Sequence, residues 1–233
     1  MENVTAIILA AGSGSRMHTD IPKQFLEVNE RPIISYSIEA FERSTVSQII
    51  LVTSEDYVEY CKSEIVDKFK YSKVKKVIKG GSERYWSVKK GLEGAKGSDY
   101  VLIHDAARPC IMTELIERSI KQVLLEGACT LGVPVKDTIK IVDESGYGID
   151  TPPRNLLWQI QTPQSFRYDE ICQAYEKMEL SGDTDITDDT MIMERYLQKK
   201  TRVIMGDYCN IKVTTSEDLY VVGNFLKKIE KSC

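Results

Sequence analysis

Two glycines, an arginine and a lysine lie close together near the start of the chain, within Ile8-Leu9-Ala10-Ala11-Gly12-Ser13-Gly14-Ser15-Arg16-Met17 and Pro22-Lys23-Gln24. Gly12 and Gly14 remove side chains where backbone N–H groups must approach an anion, and Arg16 and Lys23 add fixed positive charge. Such a composition can build a phosphate site, and it equally describes a strand followed by a flexible turn with two solvated cations. The familiar phosphate loops do not fit. A dinucleotide fingerprint needs a third glycine where Met17 stands, and no G-x-x-x-x-G-K-[ST] pattern occurs in the chain. Asp105, just past the apolar run Val101-Leu102-Ile103, can hold magnesium against phosphate oxygens or can cap a turn. His104 beside it reads as a packed strand residue rather than a base.

The elements that must position these groups follow from periodicity. Short apolar runs at 4–10, 48–53, 74–78, 100–104 and 129–133 alternate with segments of helical spacing at 32–43, 55–69, 82–95 and 113–126. Pro32 suits a first helical position, and Ser82 suits an N-cap. Strands alternating with helices predict a three-layer, Rossmann-like α/β fold with a mostly parallel sheet, whose ligands sit at the carboxyl ends of the strands. Gly12, the Gly80-Gly81 pair and Asp105 would all emerge at that edge. From Lys136 to Leu157 the alternation breaks into two extended pieces joined at Asp143-Glu144-Ser145-Gly146-Tyr147-Gly148, which predicts a protruding β-hairpin. Such a hairpin is marginal alone and is expected to pack against something, in its own domain or on a second subunit. Helices near 168–178, 188–196 and 216–228 and a strand at 202–205 complete the chain.

With 233 residues and 42% hydrophobic content, one large domain with an appendage is expected. Thirty-one Lys and Arg against 35 Asp and Glu give a net charge of −4, so nothing favours bulk attraction to nucleic acid or an anionic membrane. The six cysteines, at 61, 110, 129, 172, 209 and 233, form no C-x-x-C pair, and only His18 and His104 could join them. That argues against zinc and, with no export signal read at the N-terminus, for a reducing cytoplasm.

The opening also resembles the signature of nucleotidyltransferases that activate sugar or polyol phosphates. Gly80-Gly81-Ser82-Glu83-Arg84, His104-Asp105-Ala106-Ala107-Arg108-Pro109, Pro134-Val135-Lys136-Asp137-Thr138, Gln161-Thr162-Pro163-Gln164 and Asn210-Ile211-Lys212-Val213-Thr214 follow in order. Together they resemble the 2-C-methyl-D-erythritol 4-phosphate cytidylyltransferase family over nearly the whole chain. The resemblance implies cytidylyl transfer from CTP with magnesium. It gives Arg16 and Lys23 to catalysis at the α-phosphate, and Ala10, Ala11, Gly12, Gly14, Gly81, Ser82 and Ser87 to the nucleotide. Arg108, Thr138, Arg154, Thr162 and Lys212 go to the acceptor phosphate, and Asp105 to the metal. It further implies a single domain over 1–233 that forms a homodimer through an arm at about 136–157, with Thr138 and Arg154 carried into a shared site; otherwise Arg154 pairs with an arm carboxylate such as Asp150. Three alternatives remain at this point: a ribitol-5-phosphate cytidylyltransferase, a catalytically silent nucleotide-binding module on the same fold, and a nicotinamide-dependent oxidoreductase.

Overall fold

Strand β1 (Val4–Ala10) alternates between two cores: Val4, Ala6, Ile8 and Ala10 face one buried cluster, while Ile7 and Leu9 face another. A strand buried on both faces needs a layer of helices on each side, which is why its sequence is a continuous apolar run. The computed structural model describes residues 2–12 and 21–232. After β1 come β2 (Gln48–Thr53), β3 (Val74–Lys79), β4 (Tyr100–Asp105), β5 (Ala128–Pro134), β6 (Trp158–Arg167) and β7 (Arg202–Met205). They form one sheet in the order β7-β5-β6-β4-β1-β2-β3. Every pairing is parallel except those of β6, which runs antiparallel to β4 and β5.

The principal helices are α1 (Ile33–Glu42), α2 (Arg84–Gly94), α3 (Thr113–Glu126), α4 (Tyr168–Ser181), α5 (Asp189–Leu197) and α6 (Ser216–Ser232). Ile34, Ile38 and Phe41 of α1 and Leu115 and Ile116 of α3 cover one face of the sheet. Val88 and Leu92 of α2, Ile171 and Tyr175 of α4 and Ile192 of α5 cover the other. The expected three-layer α/β fold is therefore the fold observed. Gly91 sets how closely α2 approaches β1, since a Cβ there would lie 2.4 Å from Ile7 Cγ2. Among the described residues, no helix is long and apolar enough to cross a membrane.

Several local expectations need correction. Pro32 precedes α1 at the N-cap position instead of opening it. The segment expected as one helix over 55–69 divides into a 3-10 turn (Glu55–Tyr57), a short α segment (Val58–Tyr60) and a π-helical stretch (Cys61–Asp67). Helix α2 starts at Arg84, so Glu83 and not Ser82 occupies the N-cap position, and no side chain caps it. Strand β6 was not expected, because Pro163 interrupts it; the ladder accommodates the proline by shifting register between Ile160 and Gln164.

The hairpin exists, as Ile141–Val142 paired with Gly148–Asp150, shorter than expected. It stands clear of the rest of its own chain, with Tyr147 74% and Leu156 71% exposed. Its root is held to the sheet by the Val135 N–H donating to Leu157 O at 3.0 Å and by Lys136 lying over the Tyr208 ring.

Candidate active site

The carboxyl ends of β1, β3 and β4 open at one edge of the sheet, and the antiparallel course of β6 brings its first half to the same place. Two adjoining cavities result. The first, about 350 Å³, is lined by Ala11, Gly12, Lys23, Gly81, Ser82 and Ser87. The second, about 480 Å³, is lined by Arg108 and Thr162 among others, and both share Arg84, Asp105 and Lys212.

The first cavity is shaped by backbone. Ala10 is buried behind its wall, and the Gln24 amide donates to Ala10 O and, at 3.0 Å, to Gly12 O, fixing the start of the first loop. Ser87 Oγ, one turn into α2, accepts from the Gly81 N–H at 3.1 Å and donates to Glu83 O at 3.1 Å. Gly81 is required there by close approach, because a Cβ would lie 2.3 Å from Trp86 Cβ. With no side-chain cap, the first N–H groups of α2 are available to an anion, as is the positive end of its dipole. Lys23 reaches the cavity from the other side and donates to Val213 O at 2.7 Å.

Asp105 lies where the two cavities meet. Its Oδ1 accepts from Arg84 Nε at 3.1 Å and its Oδ2 from Lys212 Nζ at 2.7 Å. Neither oxygen takes a backbone N–H of the following turn, so the capping alternative is not what is built. Burial opposes ionisation of this carboxyl, but Arg84, Lys212 and Arg108 outweigh it and hold its pKa well below the usual carboxylate range. Thr162 Oγ1 accepts from the Asp105 N–H at 3.1 Å and meets His104 Nδ1 at 3.0 Å. His104 is fully buried, and burial pushes its pKa down to about 3, so it stays neutral and packed, as expected.

The segment after β7 closes the site. The Asn210 side chain donates to Thr162 O at 3.0 Å, Arg108 Nη1 donates to Asn210 O at 2.8 Å, and the Val213 N–H donates to Ala107 O. These ties deliver Lys212 to Asp105. Among the described residues, no three His, Cys, Asp or Glu side chains converge. Asp105 alone suits a magnesium ion that takes its remaining ligands from phosphate oxygens and water, provided Lys212, with a 37% exposed side chain, yields Oδ2.

Thus Ala11, Gly12, Lys23, Gly81, Ser82, Ser87, Asp105, Arg108, Thr162 and Lys212 surround the paired cavities, with Ala10 behind them. Gly14 and Arg16 lie outside the described residues. Thr138 and Arg154 do not join the group within this chain: both are exposed on the arm, and Arg154 Nη1 donates to Lys136 O at 2.9 Å instead of pairing with Asp150. Sequence reasoning missed the roles of Gln24, Asn210 and above all Arg84. The signal for Arg84 was its place in the first turn of a helix, where a cation opposes the dipole and must be there for another partner.

The family model described as 2-C-methyl-D-erythritol 4-phosphate cytidylyltransferase matches residues 4–228. The chain belongs to this family. A cytidylyltransferase of that description from Lachnospira eligens is 48% identical over 225 residues, covering 96% of this chain and 99% of the relative. One from Lachnoclostridium phytofermentans is 44% identical, covering 98% of each chain. Among solved structures, a 4-diphosphocytidyl-2C-methyl-D-erythritol synthase from Anaerococcus prevotii superposes with a TM-score of 0.85 at 33% identity, over 97% of this chain and 96% of that one. Membership of the cytidylyltransferase family removes the nicotinamide-oxidoreductase alternative.

Proposed function

We propose that the chain transfers the cytidylyl group of CTP to 2-C-methyl-D-erythritol 4-phosphate, a step of non-mevalonate isoprenoid synthesis. The products are 4-diphosphocytidyl-2-C-methyl-D-erythritol and pyrophosphate. The full-length match to the cytidylyltransferase family carries the reading. An oxygen of the acceptor phosphate attacks the α-phosphorus, and the bond from that phosphorus to the β-phosphate oxygen breaks, releasing pyrophosphate. The attacking phosphate is already ionised, so positioning and charge stabilisation suffice and no base is needed.

In this reading Ala11, Gly12, Gly81, Ser82 and Ser87, which line the first cavity, receive the nucleotide, with Ala10 behind them and Gly14 given to it by the motif; small residues there would let a cytosine ring approach the backbone. Lys23 and Arg16 stabilise charge at the α-phosphate. Arg108, Thr162 and Lys212 hold the acceptor phosphate in the second cavity, which requires Lys212 to exchange Asp105 for the incoming anion. Asp105, relieved of that partner, would hold magnesium, which would supply positive charge to neutralise the phosphates.

The reading includes a homodimer in which the arm of one copy brings Thr138 and Arg154 to the acceptor site of the other. Supporting it, Ile141, Tyr147, Ile149 and Leu156 remain exposed on a hairpin that the chain's own core does not cover. A single domain of residues 1–233 carrying this arm is part of the same proposal, as is a reducing, cytoplasmic setting. Cys61, Cys110, Cys129, Cys172 and Cys209 are free thiols, which fits that setting.

The test is pyrophosphate release with each nucleoside triphosphate crossed against 2-C-methyl-D-erythritol 4-phosphate and ribitol 5-phosphate. CTP with the methylerythritol acceptor is expected to dominate. Preference for ribitol phosphate would move the assignment to that acceptor, and comparable turnover with a purine triphosphate would refute the cytosine-reading pocket.

A further inference from the structure

We infer that Arg84 is a positioning residue, which acts on the reaction by fixing the orientation of the Asp105 carboxylate. Arg84 Nη1 and Nη2 donate to Asp189 Oδ1 and Oδ2 at 3.0 and 2.8 Å, a bidentate pair on a side chain with no solvent exposure. Asp189 is itself immobilised: Tyr175 donates its hydroxyl to Oδ1 at 2.6 Å, and the Asp189 N–H donates to Gln164 Oε1 at 2.9 Å. A guanidinium is planar, so fixing two of its nitrogens fixes the direction of the third. That third nitrogen, Nε, meets Asp105 Oδ1 at 3.1 Å. One oxygen of Asp105 is thereby committed to Arg84, and the other is left for Lys212 or for whatever ligand takes its place.

The arrangement has no rationale as helix stabilisation. Arg84 opens α2, where its charge opposes the helix dipole, and it is only 28% exposed, so its interactions are not simply solvated surface pairs. It lines both cavities, and it links the buried Tyr175–Asp189–Gln164 group under α4 and α5 to the carboxylate between them. The two carboxylates it spans lie on different elements, β4 and α5, so the guanidinium also registers one against the other.

The inference rests on the cytidylyl transfer proposed above, and its test is a double-mutant cycle with Asp105. Turnover of CTP with 2-C-methyl-D-erythritol 4-phosphate is measured under single-turnover conditions at high enzyme concentration for wild type, Arg84→Lys, Asp105→Asn and the double variant. Circular dichroism at the assay temperature reports folding. Lysine keeps a positive charge beside Asp189, but its single nitrogen cannot hold both carboxylates in fixed directions. In the wild-type background Arg84→Lys is expected to lower the single-turnover rate constant at saturating CTP at least about tenfold while the CTP concentration giving half that rate changes less than about threefold. In the Asp105→Asn background the same substitution is expected to lower the rate less than about twofold, because the group it positions is already gone. A similar loss in both backgrounds, including one caused by misfolding, overturns the inference, as does no loss in the wild-type background. Failure of the wild-type chain to turn over these substrates counts against the proposed transfer, not against Arg84.

Discussion

Lys23 follows Pro22 and opens a 3-10 turn that also carries Gln24 and Phe25, so its backbone is anchored by the buried pair while its ammonium reaches the first cavity. Removing a preorganised cation of this kind typically raises a barrier by about 3 kcal/mol. Lys23→Ala is therefore expected to lower kcat roughly a hundredfold with the fold retained, read by steady-state kinetics beside circular dichroism; an unchanged kcat would remove Lys23 from the chemistry. Arg16, seven positions earlier in the sequence, carries the same expectation from its motif. The thiols make a different residue-scale prediction. Burial pushes Cys61 up to about 11 and Cys110 and Cys129 up to about 12, so the reactive thiolate is scarce at all three. An alkylating reagent at about pH 8 should leave these three unlabelled in the native protein and label them after denaturation, as read by peptide mass spectrometry.

At the scale of elements, the site depends on how closely α2 lies against the sheet. Gly91 is buried in that helix, where glycine is a poorer helix former than alanine by about 1 kcal/mol. On propensity alone Gly91→Ala would stabilise the protein. The added Cβ would lie 2.4 Å from Ile7 Cγ2 and 3.3 Å from Val52 Cγ2, so α2 must move away from β1 and β2. Overpacking is expected to prevail, with a net loss of about 1–2 kcal/mol seen as a lower urea midpoint at unchanged slope. Because Arg84 and Ser87 ride on the same helix, the variant should also lose turnover; a gain in stability would show that the helix has slack.

For the molecule as a whole, the arm decides whether each site is complete within one chain. Arg154 bonds to Lys136 O on its own arm, and both Thr138 and Arg154 are exposed away from the cavities. If a second copy receives them, Lys23→Ala and Arg154→Ala are defects in different sites of a mixed dimer. Equal mixing of the two inactive variants, after subunit exchange is confirmed, should restore about a quarter of wild-type activity: half the dimers are mixed, and each has one good site of two. No recovery would assign Arg154 to its own chain or to the structure of the arm.

The sequence by itself determined most strands and most helices, because burial on both faces of a parallel sheet forces apolar runs at β1, β2 and β4, while each helix covering the sheet between them needs one apolar face and so keeps helical spacing. It also placed Gly12, Gly81 and Asp105 at strand ends, since the direction of a parallel strand is implied by the helix that follows it. What sequence could not supply were relations between distant segments. Strand β6 was hidden because Pro163 breaks the local pattern, and only its ladder with β4 and β5 brings Thr162 to Asp105. Arg84 looked like an ordinary residue at a helix start until the fold put Asp105 on one side of it and Asp189, 105 positions away, on the other. Ion pairs and hydrogen bonds act over a few ångströms irrespective of chain separation, so only the tertiary structure could decide which charges meet.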